Sequence, residues 1–326
     1  PFTVYVNFSS DVTGFDQNDI TISNGAVDVF TGSGKEYSFE VTPTDEGQVL
    51  ITVGDGVAKD ADGIDNVGEQ FTIIYDITNP LAGSVIDGTQ EDLDWSNDVS
   101  SLTATWTGFF DSLSGIGNYE YSIGKTSGAT DVLDWTTSEK DTTITATELT
   151  LEDGTTYYTS VHAIDRAGNV SPDFTSTGVT VDISPPEAGI VNDGEGEDVD
   201  RTSSLTTLSA NWTAFEDELS GTAFYEYAIG TMPGGTSFVE WTTTGLNTFY
   251  SRDDLTLEVD TVYYHSIRAH DVVGNSTDPV VSDGITVDQS PPALLAVSPG
   301  EDTPLSLIAD SKIIISFTEP IDTYEL

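Results

Sequence analysis

Short stretches in which apolar and polar residues alternate recur along the whole chain. Residues 4–8, 37–41 and 49–53 have the composition of buried or half-buried strands, and residues 102–106 and 157–163 alternate in the same way. Gly, Asn and Asp separate these stretches, and no segment of about 12 residues has a convincing helical period. The pattern predicts an all-β protein built from a linear array of β-sandwiches.

A long internal repeat divides the chain. The segment YDITNP at 75–80 recurs as VDISPP at 181–186 and as VDQSPP at 287–292, with an interval of 106 residues each time. Between these segments the match continues without a gap, for example from Trp106 to Trp212 and from Asp111 to Asp217. Because proline fixes φ and restricts the preceding residue, the Pro-Pro pairs predict stiff junctions. We therefore expect two tandem modules, at 80–185 and 186–291.

The two ends of the chain have another pattern. Residues 1–79 do not follow the repeat, and residues 292–326 are too few for a complete sandwich, yet 316–321 is similar to 7–12. We expect the first strand of the domain at 1–79 to be missing and 292–326 to be the start of a further domain of that type.

Composition excludes several classes of function. Nine Lys and Arg against 56 Asp and Glu give a net charge of −47, which repels nucleic acids and anionic lipid headgroups. The absence of Cys removes disulfides, thiolate catalysis and Cys-ligated metals, and no run of 18 apolar residues could cross a membrane. The three His occupy positions that the other repeat fills with different residues, and no Gly-x-Ser-x-Gly motif is present. We expect neither a catalytic nor a cofactor-binding site, and thus no enzyme.

Both repeats resemble fibronectin type III modules. The resemblance depends on Trp106 and Trp212 and on the pattern L-x-x-G-T-x-Y-x-x-x-V-x-A at 151–163, which recurs at 257–269 with Asp260 in place of Gly. It implies that Tyr157 and Tyr263 form a corner in which the hydroxyl bonds back to the main chain. Residues 1–79 look like a bacterial Ig-like domain with its Val-Thr-Gly-Phe segment at 12–15, and 292–326 look like the first strands of another.

Carboxylates gather where the modules meet. Since Ca²⁺ takes six to eight oxygen ligands, an Asp-x-x-Gly-Asn turn together with a linker Asp could supply several of them. The candidate ligands are Asp60, Asp62, Asp76, Asp165, Asn169, Asp182, Asp271, Asn275 and Asp288. Asp111 and Asp217, each before Leu-Ser-Gly, and the acidic loop at 193–200 could add ligands. The alternative is that these Asp, Asn and Gly residues only form turns and solvated loops.

Tryptophans offer a second candidate chemistry. Trp95, Trp135 and Trp241 could stack on sugars, but Trp135 and Trp241 occupy equivalent positions, which is typical of shared packing. Trp95 has Arg201 as its counterpart and is the better candidate for an exposed ring.

The resemblance implies a non-catalytic stalk or filament of a large secreted or cell-surface bacterial protein, and the clustered carboxylates predict calcium at its junctions. Its partners would be neighbouring modules, other copies of the chain or surface glycans, without nucleic acid or membrane insertion. Two alternatives stay open. The modules could be spacers or carbohydrate-targeting modules of a secreted hydrolase, or the chain could be a subunit of a self-assembling surface layer or fibre.

Overall fold

The computed structural model describes residues 1–291, 293–298 and 314–317, which form strands, turns and one 3₁₀ turn. The predicted all-β class is confirmed. The chain divides into two compact units after Ile183. The first unit contains an N-terminal sandwich and the first repeat, and the second unit contains the second repeat. No helix in these residues is long and apolar enough to cross a membrane.

Two antiparallel three-stranded sheets, ordered β3–β1–β5 and β2–β4–β6, form the N-terminal sandwich. Side chains that alternate along the strands face inward from both sheets and form one apolar core. The elements are β1 (Phe2–Thr13), a 3₁₀ turn (Gln17–Asp19), β2 (Ile20–Ser23), β3 (Gly25–Pro43), β4 (Gly47–Val53), β5 (Lys59–Asp60) and β6 (Glu69–Tyr75).

The segment at 12–15 explains how this core is closed. Gly14 has φ +91°, a conformation that favours glycine, and it turns the chain so that Phe15 enters the core. There the Phe15 ring makes edge contacts with Phe8, Phe30 and Tyr37 at centroid distances of 5.0–5.6 Å. A groove of about 520 Å³ lies between the free edge of β1 and the edge strand β6. The expectation that a first strand is missing here stays a prediction.

The first repeat is a sandwich of a three-stranded sheet, β12–β9–β7, and a larger sheet, β11–β10–β13–β15–β8, in which β14 also pairs with β13. All pairs are antiparallel except β15 with β8. The strands are β7 (Ser84–Asp87), β8 (Trp95–Ser96), β9 (Leu102–Thr107), β10 (Ile116–Gly124), β11 (Leu133–Glu139), β12 (Thr143–Ala146), β13 (Thr156–Asp165), β14 (Phe174–Thr175) and β15 (Val179–Val181).

The second repeat has the same topology, with sheets β16–β18–β21 and β17–β24–β22–β19–β20 and with β23 on β22. Its strands are β16 (Val191–Asp193), β17 (Arg201–Thr202), β18 (Leu208–Trp212), β19 (Thr222–Gly230), β20 (Val239–Gly245), β21 (Phe249–Arg252), β22 (Val262–Asp271), β23 (Val280–Val281) and β24 (Ile285–Val287).

A short antiparallel pair, β25 (Leu294–Ser298) with β26 (Ile314–Phe317), follows the second repeat. The rest of the further domain expected at 292–326 lies outside the described residues. The boundaries expected at 79/80, 185/186 and 291/292 stay predictions.

The corner implied by the resemblance is present in both repeats. The backbone N–H of Glu152 donates to Tyr157 Oη (2.8 Å), and that of Glu258 donates to Tyr263 Oη (3.0 Å). The replacement of glycine by Asp260 leaves the turn unchanged, because Asp260 adopts φ +62° where Gly154 has φ +68°. Aspartate is among the few residues besides glycine that enter this region readily.

Candidate metal centre

Three aspartates from separate segments meet where the N-terminal sandwich joins the first repeat. Asp76 follows β6, Asp111 lies between β9 and β10, and Asp165 ends β13. One carboxylate oxygen of each lies within 4.8 Å of the other two. Asp76 and Asp165 are only 6% and 3% exposed, and Asp111 is partly buried. The cluster therefore connects the linker to two loops of the first repeat.

Asp165 is held in place by the turn that it begins. Its Oδ1 accepts hydrogen bonds from the backbone N–H groups of Ala167 and Asn169, both at 2.8 Å. Its Oδ2 accepts a third from the Asn169 side-chain amide (2.8 Å). Gly168 has φ +95°, which lets the chain reverse over the carboxylate. The Asp-x-x-Gly-Asn sequence thus forms a turn that also fixes the carboxylate at the junction.

Asp111 is fixed by the same kind of local bonding. Its Oδ1 accepts from the backbone N–H groups of Leu113 (3.1 Å) and Gly115 (2.6 Å). Aspartate commonly makes such bonds to residues that follow it in a turn. The loop therefore has a defined shape before any ligand is considered.

Asp76 ties the linker to the first repeat. Its Oδ2 accepts from the backbone N–H of Ser114 (3.0 Å), and its carbonyl oxygen accepts from the Asn169 amide (3.2 Å). Its Oδ1 accepts from the N–H of Thr78 (3.0 Å), which orders the linker itself. Each of the two loops that carry Asp111 and Asp165 thus donates one hydrogen bond to Asp76.

The cluster is electrically unbalanced. No Lys or Arg of the described part of the chain forms an ion pair with Asp76, Asp111 or Asp165. Burial raises the pKa of Asp165, but the hydrogen bonds from Asn169, Ala167 and Gly168 outweigh burial and leave the pKa below its usual value. Asp165 is therefore ionised at neutral pH. Carboxylates this close repel one another unless a cation lies among them, and carboxylate oxygens are the ligands that Ca²⁺ prefers.

The second repeat contains the same pre-formed loops. Asp271 accepts from the N–H groups of Gly274 (2.6 Å) and Asn275 (2.8 Å) and from the Asn275 amide (2.7 Å). Asp217 accepts from the N–H groups of Leu219 (3.1 Å) and Gly221 (2.7 Å). Asp182 has the sequence position of Asp76 near the end of the first unit, and its assignment as a ligand stays a prediction.

Three of the predicted ligands have other local partners. Asp60 accepts from the N–H groups of Asp62 (3.0 Å) and Ile64 (2.9 Å), which closes the turn after β5. Neither Asp60 nor Asp62 belongs to a group of three close carboxylates in the described residues. Asp288 forms an ion pair with Arg201 and accepts from the N–H of Ser290 (2.8 Å). The loops that would complete a site around Asp288 lie outside the described residues.

Residues 1–77 match the family model of a bacterial Ig-like domain. The match confirms that this part of the chain resembles a bacterial Ig-like domain, and we call residues 1–77 the Ig-like domain. The aspartate cluster thus lies at the C-terminal end of the Ig-like domain, at its connection to the first repeat.

The other comparisons extend over the repeats. Exoglucanase B of Cellulomonas fimi is 25% identical over 228 residues, which are 69% of this chain and 19% of that protein. The chain therefore matches about a fifth of the length of this relative.

Solved structures of tandem modules also match. Domains A168–A170 of titin are 13% identical, with a TM-score of 0.42, over 88% of this chain and 93% of the titin chain. Fibronectin(III)-like modules of Clostridium thermocellum CbhA are 14% identical, with a TM-score of 0.34, over 63% of this chain and 94% of theirs. The FN1–FN3 domains of chicken CNTN1 are 11% identical, with a TM-score of 0.34, over 86% of this chain and 93% of the CNTN1 chain.

The candidate sugar-stacking tryptophans are half-buried. Trp135 packs on the His162 ring at a centroid distance of 4.2 Å, and Arg268 covers Trp241 at 4.3 Å. Trp95 lies in β8 and is half-buried like the other two tryptophans. These contacts fit the packing interpretation, and the glycan-binding interpretation stays a prediction.

Proposed function

We propose that this chain is a non-catalytic spacer segment of a large secreted or cell-surface protein, in which Ca²⁺ at Asp76, Asp111 and Asp165 stiffens the connection after the Ig-like domain. The cluster of these three carboxylates carries the proposal. It joins the linker to two loops of the next module, and its excess negative charge lacks a cationic side chain.

The comparisons support the spacer part of the proposal. Ig-like and fibronectin type III modules are generally non-catalytic. The relative named Exoglucanase B contains a similar stretch that covers a minor part of its length, which favours a spacer within a secreted multidomain enzyme. A stalk of a surface protein uses the same physical properties, because each sandwich buries its own core and contacts only its neighbours in sequence. Adhesion, self-assembly and glycan binding stay predictions.

A bound cation would act on the junction by electrostatics. Without it, the three carboxylates repel one another, and the loops hold Asp76 through hydrogen bonds from Ser114 and Asn169. With Ca²⁺ among them, the linker and both loops become ligands of one ion, so that bending of the linker requires loss of coordination.

The absence of cysteine makes a direct test simple, since two introduced cysteines are the only thiols to label. We would attach spin labels through Thr72→Cys and Lys140→Cys, both at exposed positions on either side of the cluster, and measure the distance distribution by pulsed electron resonance. We expect a narrow distribution in millimolar Ca²⁺ and a broader one in EDTA.

Asp111→Asn is the decisive variant, because it removes one charge without changing the volume of the side chain. Its matched control is Asp141→Asn, an exposed aspartate of the same repeat whose side chain has no bond to the cluster. Ca²⁺ should narrow the distribution in the control but not in Asp111→Asn. The role of calcium at this junction would be disproved by either of two results: the distance distribution of the parent chain is the same in Ca²⁺ and in EDTA, or Ca²⁺ narrows it equally in both variants.

A further inference from the structure

A different cluster of carboxylates lies inside the second repeat, away from its junction loops. Asp193 ends β16, Asp198 follows in the loop before β17, and Asp283 lies between β23 and β24. One oxygen of each lies within 4.8 Å of the other two. Asp193 is fully buried, whereas Asp198 and Asp283 are exposed, so that the cluster is open to solvent on one side only.

The loop at 193–198 is ordered around this cluster. The Asn211 side-chain amide donates to the carbonyl oxygens of Gly194 (3.1 Å) and Gly196 (2.9 Å), which curls the loop back over β18. Asp198 Oδ1 accepts from the backbone N–H of Asp193 (2.8 Å). These bonds bring the Asp198 carboxylate back to the start of its own loop, beside Asp193.

Two buried atoms beneath the cluster are without hydrogen-bond partners in the described part of the chain, and they are independent of the exposed acids. They are Asp193 Oδ1 and His265 Nε2, which are 3.5 Å apart in side chains that are 0% exposed. Asp193 Oδ2 is satisfied by the N–H of Gly284 (3.0 Å), and His265 Nδ1 bonds to the Tyr250 hydroxyl. Since buried polar atoms are nearly always paired, an unpaired carboxylate oxygen beside two more carboxylates indicates a missing positive charge.

The first repeat has an equivalent pair of acids whose oxygen atoms have hydrogen-bond donors. There Asp87 and Asp92 replace Asp193 and Asp198, and the N–H of Asp87 donates to Asp92 in the same way (2.8 Å). Thr177 has the position of Asp283, and its hydroxyl donates to Asp92 Oδ2 (2.7 Å). The second repeat thus has a third acceptor where the first repeat has a donor. Asp87 has no buried oxygen without a partner.

We propose that Asp193, Asp198 and Asp283 bind a divalent cation of the calcium type, which supplies the positive charge that the second repeat lacks at this point. All the ligands are hard oxygens, which suit Ca²⁺ rather than a thiolate- or imidazole-binding metal. His265 lies behind Asp193, with its Nε2 at 3.5 Å from Asp193 Oδ1, and Tyr250 bonds to the other ring nitrogen of His265. The site lies within one module, and it does not depend on the junction site proposed above.

Isothermal titration of the full chain with CaCl₂ tests the site through its stoichiometry. Asp283→Thr copies the residue of the first repeat and should bind one equivalent fewer than the parent chain. Asp278→Asn, an exposed acid of the same repeat, is the control for loss of charge and should bind as the parent does. The same one-equivalent loss should appear when Asp283→Thr is combined with Asp111→Asn, which separates this site from the junction.

The reverse change makes the test independent of whether Asp283→Thr folds. Thr177→Asp gives the first repeat the three carboxylates of the second and should add one equivalent of Ca²⁺. Unchanged stoichiometry in a folded Asp283→Thr chain overturns the proposal. If that variant fails to fold, as judged by amide exchange at β22, the result with Thr177→Asp decides in the same way: one added equivalent supports the site, and none overturns it.

Discussion

The two repeats keep one scaffold while they change what is buried inside it. Trp106 and Trp212 fill equivalent core positions and meet Tyr119 and Tyr225 edge to face, at centroid distances of 5.8 and 5.7 Å. Elsewhere in the core, the two repeats differ. Where the first repeat has an apolar residue and a small hydroxyl, Ile144 and Thr159, the second has Tyr250 and His265.

The exchange teaches that a sandwich core accepts a polar pair when both members change together. The Tyr250 hydroxyl bonds to His265 Nδ1, and the Tyr250 ring stacks on Tyr227 with 3.7 Å between centroids. Burial lowers the pKa of His265 to about 4, so that the imidazole is neutral at pH 7 and fits a desolvated core. Without His265, the Tyr250 hydroxyl would be buried without its partner, which is costly.

Breaking the pair should have the largest effect. His265→Thr leaves the Tyr250 hydroxyl buried without its partner and opens a cavity, so we expect the free energy of unfolding of the second repeat to fall by about 2–4 kcal/mol. Tyr250→Ile combined with His265→Thr restores the residues of the first repeat. The double variant should lose less than the sum of the two single losses, by roughly 1–2 kcal/mol.

Native-state amide exchange at β22, in EDTA at pH 7, reports on the second repeat alone. Exchange at β13 in the first repeat is the internal control and should not change. Additive losses would mean that the two residues are independent, and the account of a coupled pair would then be wrong.

A property that the two repeats share can be measured by pH, at Asp87 in the first repeat, because burial raises the pKa of Asp87 and of its counterpart Asp193 alike. Burial raises the pKa of Asp87 to about 6, against hydrogen bonds from Ser176 and Gly178 that lower it, and the charge of Asp92 adds to the rise. The folded state favours the protonated form of Asp87, so protonation of Asp87 stabilises the first repeat. This contribution to the free energy of unfolding is complete below pH 4 and is lost as the pH rises through 6. The loss amounts to about 3 kcal/mol by the usual conversion of pKa to free energy.

The ¹³C resonance of the Asp87 carboxyl should titrate with a midpoint near pH 6. Urea unfolding followed by exchange at β13, at pH 4 and pH 7, measures the change in stability. The difference between the parent and Asp87→Asn separates this group from the general repulsion among the other acids. A midpoint near pH 4 would contradict the effect of burial.

The smallest expected effect concerns the turn before the tyrosine corner. Asp260→Gly removes a side chain from a backbone with φ +62° and should stabilise the second repeat by roughly 0.5–1 kcal/mol. Gly154→Asp should lower the free energy of unfolding of the first repeat by about the same amount. Thermal unfolding of the two variants, with exchange at β13 and β22 to assign each transition, checks the pair. Loss of stability in Asp260→Gly would indicate that the Asp260 side chain contributes more than its backbone strain costs.

The strands and the corner could be predicted because they depend on local pattern. The alternation at 102–106 and 157–163 corresponds to β9 and β13, and the motif around Tyr157 also contains Glu152, whose backbone N–H donates to the Tyr157 hydroxyl. Asp76 and Asp165 could be selected as neighbours because the repeat marks both at the junction. The sequence predicts Asp111 only as an added ligand, although its recurrence as Asp217, before the same Leu-Ser-Gly, is a signal for a shared role.

Two features could not be predicted, for physical reasons. Asp60 and Asp62 are close to Asp76 in sequence, but Asp60 is used by its own hairpin turn. Tyr250 and His265 lie on β21 and β22, which belong to different sheets, so their contact depends on how the sheets pack. In addition, Tyr250 and His265 occur in the second repeat only, so a comparison of positions that the two repeats share does not single them out.

The parallel pairing of β8 with β15 has a mechanical consequence. The N–H of Thr180 donates to the carbonyl of Asp94 (2.9 Å), and that of Asp182 donates to the carbonyl of Ser96 (2.8 Å), so the second strand of the repeat is bonded lengthwise to its last strand. A tensile force that is transmitted through β8 and β15 in opposite directions slides these strands past each other in shear. The bonds then carry the load together and must rupture together, whereas a hairpin that is pulled open loses its bonds one at a time. Resistance to this shear is thus localised in the few residues of β8 and β15, of which Val179 and Val181 also belong to the apolar core.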